Sequence, residues 1–435
     1  MNLRTLDVYM GERKVGRLFQ YGEGASAITR LMPDDAYWRD DQAPLLSWAA
    51  VTNTAAERRA FWNNPASQPF FNGTGAQLPG FFQNLLPEGP LRRHLESIRK
   101  CDKDDHFEIL VACGTDLPGN VYVWPAHLER EEIASVVTQN NYALEPSVTA
   151  DPMAGATSLS GVQPKLSLLA SGGRYVARTR DAAGVHVIAK LPTPEYPWLP
   201  EVEELSLRLA RAVGVTAAQA TLAPVDHITA ENPFWLGEQR MFLAVERFDR
   251  AHGREHIHCE DFAQILGIPP DEKYSHPNAS YGAMALVMLA SMKLASEAVS
   301  ELLRRIAVNE MLGNFDAHVK NFGVIYRDGR TPELSPAYDI VAYACYVAGR
   351  GHALKFSDAG ERHQRISPVT LRAFCNASGF FPTLANKVVS DTVKAACALW
   401  PEMIAQSLLP EPYKLRLLAH FNKVDAVAKW RRRSA

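Results

Sequence analysis

Apolar and polar positions alternate over residues 5–19, with Val8 and Met10 before Gly11 and Glu12 and with Val15 and Leu18 after them. Period-two alternation around a polar, glycine-containing break predicts a β-hairpin, so the chain opens with sheet. The period changes over residues 83–100, where Pro87, Glu88, Gly89 and Pro90 form a turn signal and Leu91, Leu95 and Ile98 follow at helical spacing. A second helix is predicted over 106–113. Strand-like runs return at 166–170, 175–178, 185–190 and 241–248, interrupted by one helix at 201–213. From about residue 261 onward helices dominate; over 300–312, Leu303, Ile306, Val308 and Met311 make one broad apolar face.

Between these patterned regions, residues 141–157 carry two prolines, many small side chains and little periodicity, which marks a domain boundary. The expected division is therefore 1–140, 150–250 and 251–435: a β-rich amino-terminal unit, a small sheet with one helix, and a helical remainder. With 435 residues and 47% hydrophobic content there is ample material for two or more cores. Lys and Arg number 46 against 48 Asp and Glu, so no global field draws the chain to nucleic acid or membrane, and any such contact is a local patch. The basic run at 429–433 reads either as such a patch or as a solvated tail. Cys101, Cys113, Cys259, Cys345, Cys375 and Cys397 are scattered without CxxC pairs, as expected of buried free thiols rather than structural zinc ligands. The first residues lack an apolar leader core and no run reaches the ~18 apolar residues of a membrane span, so the expectation is a cytoplasmic protein without membrane contact.

The chemistry concentrates in residues 313–324, where Asp316 and Asn321 stand five positions apart just after the predicted 300–312 helix. Kinase catalytic loops have this D-x-x-x-x-N spacing: the carboxylate takes or orients the proton of an attacking hydroxyl, and the amide oxygen holds the metal on the phosphates. Asp339, eighteen residues on and beyond a predicted hairpin over 324–333, is placed to be a second metal ligand, though no DFG triplet is present. Lys190 ends an apolar strand as a phosphate-holding lysine does, and Glu203 opens the next helix as its ion-pair partner. Residues 243–250, with Glu246, Arg247 and Phe248, read as a strand running into an interlobe hinge whose backbone faces an adenine edge. Each feature has a plainer explanation alone: a turn or cap for Asp316 and Asn321, a solvated strand end for Lys190, a first-turn charge for Glu203, and a salt-bridged Arg-Asp-Arg for the hinge. A phosphate loop needs small residues, and residues 157–168 offer such a stretch with a single glycine, Gly161; a G-x-G-x-x-G loop is absent.

Five motifs in order, SLSGVQPK at 158–165, HVIAK at 186–190, ERFDR at 246–250, DAHVKN at 316–321 and YD at 338–339, resemble the HipA family of bacterial toxin kinases. VYMGERKVGRL, FFQNLLPEGPLRRHL and FEILVACGTDLPGNVYV resemble that family's amino-terminal subdomain, so the similarity extends over nearly the whole chain. The resemblance implies a two-lobed, protein-kinase-like α+β fold with an added amino-terminal β-rich subdomain and a helical carboxy-terminal lobe. It implies a serine/threonine protein kinase using ATP and Mg2+, with Asp316 as catalytic base, Asn321 and Asp339 as metal ligands, Lys190 as phosphate lysine and Glu203 orienting it. Ser160, Gly161, Val162, Gln163, Pro164 and Lys165 would form the phosphate loop. Glu246, Arg247 and Phe248 would hold adenine, with His318, Val319, Lys320 and Tyr338 around the nucleotide. Ser158 would be the inhibitory autophosphorylation site, with Ser160 a second candidate; the plainer alternative is a pair of serines capping a tight loop. The implied partners are a HipB-like helix-turn-helix antitoxin, operator DNA reached mainly through it, and a protein substrate, by resemblance an aminoacyl-tRNA synthetase, whose modification arrests translation and growth. Two other classes remain open: a metal-dependent hydrolase with Asp316, His318 and Asp339 as ligands, and an inactive scaffold binding antitoxin and DNA.

Overall fold

The computed structural model describes residues 2–22, 27–64, 70–72, 77–126, 128, 145–146, 149–153, 156–159, 161, 163–178, 184–250 and 256–434. The opening alternation forms the predicted hairpin: strands Asn2–Met10 and Arg13–Tyr21 pair antiparallel, from Leu3 opposite Tyr21 to Met10 opposite Arg13. Gly11 takes φ +57 in the turn, a conformation that a Cβ resists. Strands Ile28–Pro33 and Phe71–Asn72 extend the sheet on one side and Val121–Pro125 on the other, while Glu145–Pro146 runs parallel to the first strand. At Gly16 a Cβ would lie 2.3 Å from the Met32 carbonyl oxygen, so only glycine lets these neighbouring strands approach. Leu6, Val8, Met10, Val15 and Leu18 pack beneath helices Gly80–Asn84, Gly89–Arg99 and His106–Ala112, sharing a core with Phe81, Phe82 and Leu110. The PEGP turn does what its residues dictate: Pro90 sits in the first turn of Gly89–Arg99, where its missing N–H costs nothing.

The second sheet has the antiparallel order Ala220–Pro224, Met241–Glu246, Val185–Lys190, Lys165–Ser171, Arg174–Ala177. Its single helix, Leu199–Ala212, is buried on nearly every side. Val202, Leu205, Leu207 and Leu209 belong to the same core as Leu302, Ile306 and Trp400 of the helical lobe, and the Trp400 indole donates to the Leu209 carbonyl at 3.0 Å. The sheet keeps a smaller apolar cluster of its own through Leu168, Val187, Ala189, Phe242 and Ala244.

The large lobe is built on Ser296–Leu312, Pro368–Ser378, Pro382–Ala405, Glu411–Lys423 and Asp425–Ser434. Gly313, at φ +63, stops the first of these helices and releases the chain into the 314–322 loop. The predicted 324–333 hairpin is present as Gly323–Tyr326 against Glu333–Leu334, with His258–Asp261 pairing the other edge of Gly323–Tyr326. The architecture is the two-lobed α+β arrangement that the sequence implies, with the extra β-rich unit in front. Among the described residues no helix is long and apolar enough to cross a membrane. All six cysteines are free; Cys113, Cys345 and Cys375 are buried, whereas Cys101, Cys259 and Cys397 are only half-buried, which corrects the expectation of six buried thiols. Of the 141–157 stretch, where the sequence sets a boundary, 141–144, 147–148 and 154–155 lie outside the described residues.

A buried charge cluster joins the first unit to the small lobe. The Asp116 carboxylate, with no solvent-exposed surface, accepts from Arg178 at 2.6 Å, Arg250 at 2.9 Å and Arg247 at 3.2 Å. Asp249 takes Arg247 at 2.8 Å and Arg250 at 2.6 Å on its own carboxylate, and also accepts from the Gly119 amide at 3.0 Å. Burial alone would raise both acids, but the surrounding guanidinium groups hold both carboxyls far below the usual range.

Candidate functional site

The sequence candidates converge where the small sheet faces the 314–322 loop. Two adjoining cavities share Lys165, Lys190, Lys320 and Asp339 in their walls; the first adds Gly161, Gln163, Glu203, Asp316, His318 and Asn321, and the second Ser158, Glu246, Arg247, Phe248 and Tyr338. Lys190, at the end of its strand, donates to both Glu203 Oε1 and Asp339 Oδ1. Lys190 is 5% and Glu203 1% exposed, so this is a desolvated ion pair joined by a half-buried Asp339, and not the solvated strand end of the plainer explanation. Burial by itself would lower the lysine and raise the acid, yet the two carboxylates keep Lys190 above its ordinary pKa, and Lys190 with Lys165 keeps Asp339 below its own. Lys165, also buried, is shifted down chiefly by desolvation.

Asp339 adopts φ +52, rare for a residue with a side chain, and is fastened there by Asn314 Nδ2 on its carbonyl at 3.3 Å and by Lys190 on its carboxylate. Its second carboxylate oxygen accepts from Asn321 Nδ2 at 3.3 Å, while Asn321 Oδ1 accepts from the His318 amide at 2.9 Å. Asn321 thus presents its Nδ2 to Asp339 while its Oδ1 is turned to the His318 amide, with the Lys190 ammonium on the other carboxylate oxygen. Asp339 and, with its amide turned over, Asn321 are the oxygen ligands available here to a hard divalent cation.

Asp316 stands at the same loop's other end, where its Oδ1 accepts from the Tyr274 hydroxyl at 2.5 Å. Burial lifts its carboxyl above the ordinary value, against the opposing pull of that hydrogen bond and of Lys273. The His318 ring packs edge-on against Tyr274 at 5.1 Å and is pushed down to about 3 by burial, then by Lys273, so the imidazole is neutral. Among the described residues no group of three or more His, Cys, Asp or Glu side chains gathers as a metal site, so Asp316, His318 and Asp339 do not form the hydrolase centre considered above.

Not every candidate side chain points into the cleft. Val319 is buried in the large core, and the Arg247 guanidinium is committed to Asp116 and Asp249, as the plainer reading of ERFDR had it. The Glu246 and Arg247 amides donate to the Gln219 and His186 carbonyls at 2.8 and 2.9 Å. Phe248 lies 5.6 Å from the Tyr338 ring, and the Tyr338 hydroxyl donates to the Lys320 carbonyl at 2.9 Å. In the loop before Lys165, Gly161 has φ +102, the Pro164 carbonyl accepts from Leu191 N–H at 2.9 Å, and Gln163 Nε2 donates to the Leu191 carbonyl at 2.8 Å. Ser158 has no exposed surface; its hydroxyl donates to the Leu85 carbonyl and its amide to the Asp116 carbonyl at 3.0 Å. Ser160 and Val162 lie outside the described residues.

Sequence reasoning passed over Asn84, Glu88, Lys273 and Tyr274. Glu88 reaches in from the amino-terminal unit, its carboxylate 3.1 Å from Lys320 and 3.0 Å from Lys273, and Lys320 also donates to the Asn84 carbonyl and side-chain oxygen at 3.2 Å each. The available signal was an acid set between two prolines in an apolar run; Tyr274 had none.

Comparison with known proteins gives the family. Residues 6–124 match the HipA N-terminal domain and residues 157–400 the HipA-like C-terminal domain. A Sinorhizobium fredii protein called "Putative kinase Y4dM" is 31% identical over 87% of this chain and 90% of its own. The serine/threonine-protein kinase toxin HipA of Shewanella oneidensis is 23% identical over 95% of this chain and 94% of its own. The HipA chain in the solved complex of Shewanella oneidensis HipA, HipB and operator DNA superposes with a TM-score of 0.67 at 21% identity, covering 98% of this chain and 99% of that one. Matched in both halves, the chain belongs to the HipA family.

Proposed function

We propose that this chain is an ATP- and Mg2+-dependent serine/threonine protein kinase and the toxin of a HipA/HipB-like toxin-antitoxin system. The observation that carries the reading is the Lys190–Glu203–Asp339 triad, with Lys190 and Glu203 buried, beside the loop bearing Asp316 and Asn321. Lys190 grips the nucleotide phosphates, oriented by Glu203, while Lys165 and the Gly161 backbone close over them. Glu246 to Phe248 hold the adenine through backbone groups, with the Phe248 and Tyr338 rings beside it. Asn321 and Asp339 hold Mg2+, which when bound neutralises charge on the phosphates. Asp316 accepts the proton of a serine or threonine hydroxyl as its oxygen bonds to the γ-phosphorus and ADP departs. A neutral His318 adds no competing positive charge.

Ser158 is the proposed autophosphorylation site, with Ser160 second. Buried under Leu85, Ser158 reaches phosphate only when its loop leaves the cleft, and the added charge then opposes its return. The Shewanella complex of HipA with HipB and operator DNA supports a HipB-like antitoxin and operator DNA as partners of this chain; the family resemblance adds the helix-turn-helix form of that antitoxin and, as protein substrate, an aminoacyl-tRNA synthetase. The test is incubation with γ-labelled ATP and Mg2+ beside Asp316→Asn, with mass spectrometry of the 157–168 peptide. Transfer by the parent alone supports the kinase; an unlabelled parent carrying no prior phosphate rejects it.

A further inference from the structure

The amino-terminal unit does more than flank the cleft. Glu88 emerges from the PEGP turn at the start of helix Gly89–Arg99 and lies in the wall of the first cavity, opposite Lys190 and Asp339. Its carboxylate meets two lysines from different parts of the large lobe: Lys320, four residues after Asp316, at 3.1 Å and Lys273 at 3.0 Å. The residue after Lys273 is Tyr274, whose hydroxyl is on Asp316. Asn84, four residues earlier at the end of helix Gly80–Asn84, adds its carbonyl and side-chain oxygens to Lys320. Burial would raise Glu88, but Lys320 and Lys273 hold it down to about 2, so it is an anion throughout the working pH range. Without it, Lys320 and Lys273 would lose the carboxylate they share, and among the described residues Lys320 would keep direct hydrogen bonds to neutral oxygens alone.

We propose that Glu88 is a positioning residue for phosphoryl transfer, through which the amino-terminal unit holds Asp316 in place by way of Lys320 and the Lys273–Tyr274 pair. This rests on the kinase reading above. Its ground is that Glu88 ties to one turn both the 270–278 loop, whose Tyr274 bonds Asp316, and the 316–322 loop, which carries Asp316. Since Asp316 acts on the acceptor hydroxyl and not on ATP binding, loosening it lowers turnover more than nucleotide affinity, and displacements of an ångström or less at a reacting group cost on the order of tenfold or more.

The test compares the full-length parent with Glu88→Gln, Glu88→Asp and Tyr274→Phe, measuring kcat and KM for ATP together with amide hydrogen exchange in peptides covering 270–278 and 313–322. Expected are a kcat fall of about tenfold or more in Glu88→Gln with KM for ATP within about twofold, partial recovery in Glu88→Asp, a smaller kcat loss in Tyr274→Phe, and faster exchange in both peptides. A Glu88→Gln kcat within twofold of the parent, a loss carried by KM alone, or unchanged exchange overturns the proposal. Hydrogen exchange needs no activity, so a parent that transfers no phosphate sinks the kinase reading while the exchange data still judge the fastening of the two loops.

Discussion

Replacing Asp116 with Asn keeps the shape of the side chain and removes one negative charge from a site without solvent. Three arginines, Arg178, Arg247 and Arg250, and two acids, Asp116 and Asp249, form the cluster, so the substitution leaves three guanidinium groups with one carboxylate. Arg247 and Arg250 keep Asp249, whereas Arg178 loses its 2.6 Å partner. Removing one partner of a buried ion pair costs about 3–5 kcal/mol, a large part of the roughly 5–15 kcal/mol that holds a domain folded. At about 2–4 °C per kcal/mol for a unit of this size, Tm should fall on the order of 10 °C. Circular dichroism melts and urea titrations measure this, and the double variant Asp116→Asn, Arg178→Met, which restores the charge balance, should regain a substantial part of the loss. A single variant melting within about 2 °C of the parent refutes the reasoning. The linkage has a definite sign: both acids are depressed in the fold, so their stabilisation is complete above the ordinary carboxylate value of about 4 and is lost as pH falls below it.

Lys190→Met should weaken ATP binding and lower phosphate transfer on the order of a hundredfold while the chain stays folded, measured by nucleotide titration and labelled transfer; undiminished binding would contradict the phosphate-lysine role. His258, held down to about 4 by burial with its Nε2 on the Leu46 carbonyl at 3.0 Å, contributes stability that is complete above pH ~6.5 and lost as pH falls from there toward 4. His258→Gln should therefore flatten urea stability against pH in that window, and an identical slope in parent and variant would remove His258 from the account. Gly16→Ala places a Cβ 2.3 Å from Met32 O and 2.9 Å from Pro33 Cα, both backbone atoms that move only if the strands part. A loss of roughly 1–3 kcal/mol in unfolding free energy, read as a lowered urea midpoint, is expected, and an unchanged midpoint would show that the sheet yields freely there.

The elements most legible in the sequence are those whose period is enforced by burial on one face. The 5–19 hairpin and the helices near 91–99, 106–112 and 201–212 match their predicted positions within a few residues because apolar spacing alone specifies them. Strand Ala220–Pro224 escaped notice: it lies at the sheet's edge and ends in proline, so one side of its ladder carries no pattern. In the cleft, Lys190, Glu203, Asn321 and Asp339 were found by spacing, since backbone geometry fixes how far apart along the chain such groups stand. Glu88, Asn84 and Tyr274 were not, because their contacts join segments as distant as 84 and 320, and no local period reports such a meeting. ERFDR shows the converse: a motif read as an adenine hinge has its arginines turned into a buried cluster that secures the preceding unit.

Helix Leu199–Ala212 carries Glu203 yet shares its core with the large lobe, and the Ser206 hydroxyl accepts from the Ala342 amide at 3.0 Å just beyond Asp339. A regulator that acts by swinging this helix outward, breaking Lys190 from Glu203, would have to tear open the largest apolar core in the molecule. The helix is a fixed post. Control of this cleft falls instead to what that core does not hold, such as the contacts of Lys273 with Glu88 and of Tyr274 with Asp316, which can be exchanged without exposing it. Ligands sought as modulators should be screened against those contacts and not against the helix.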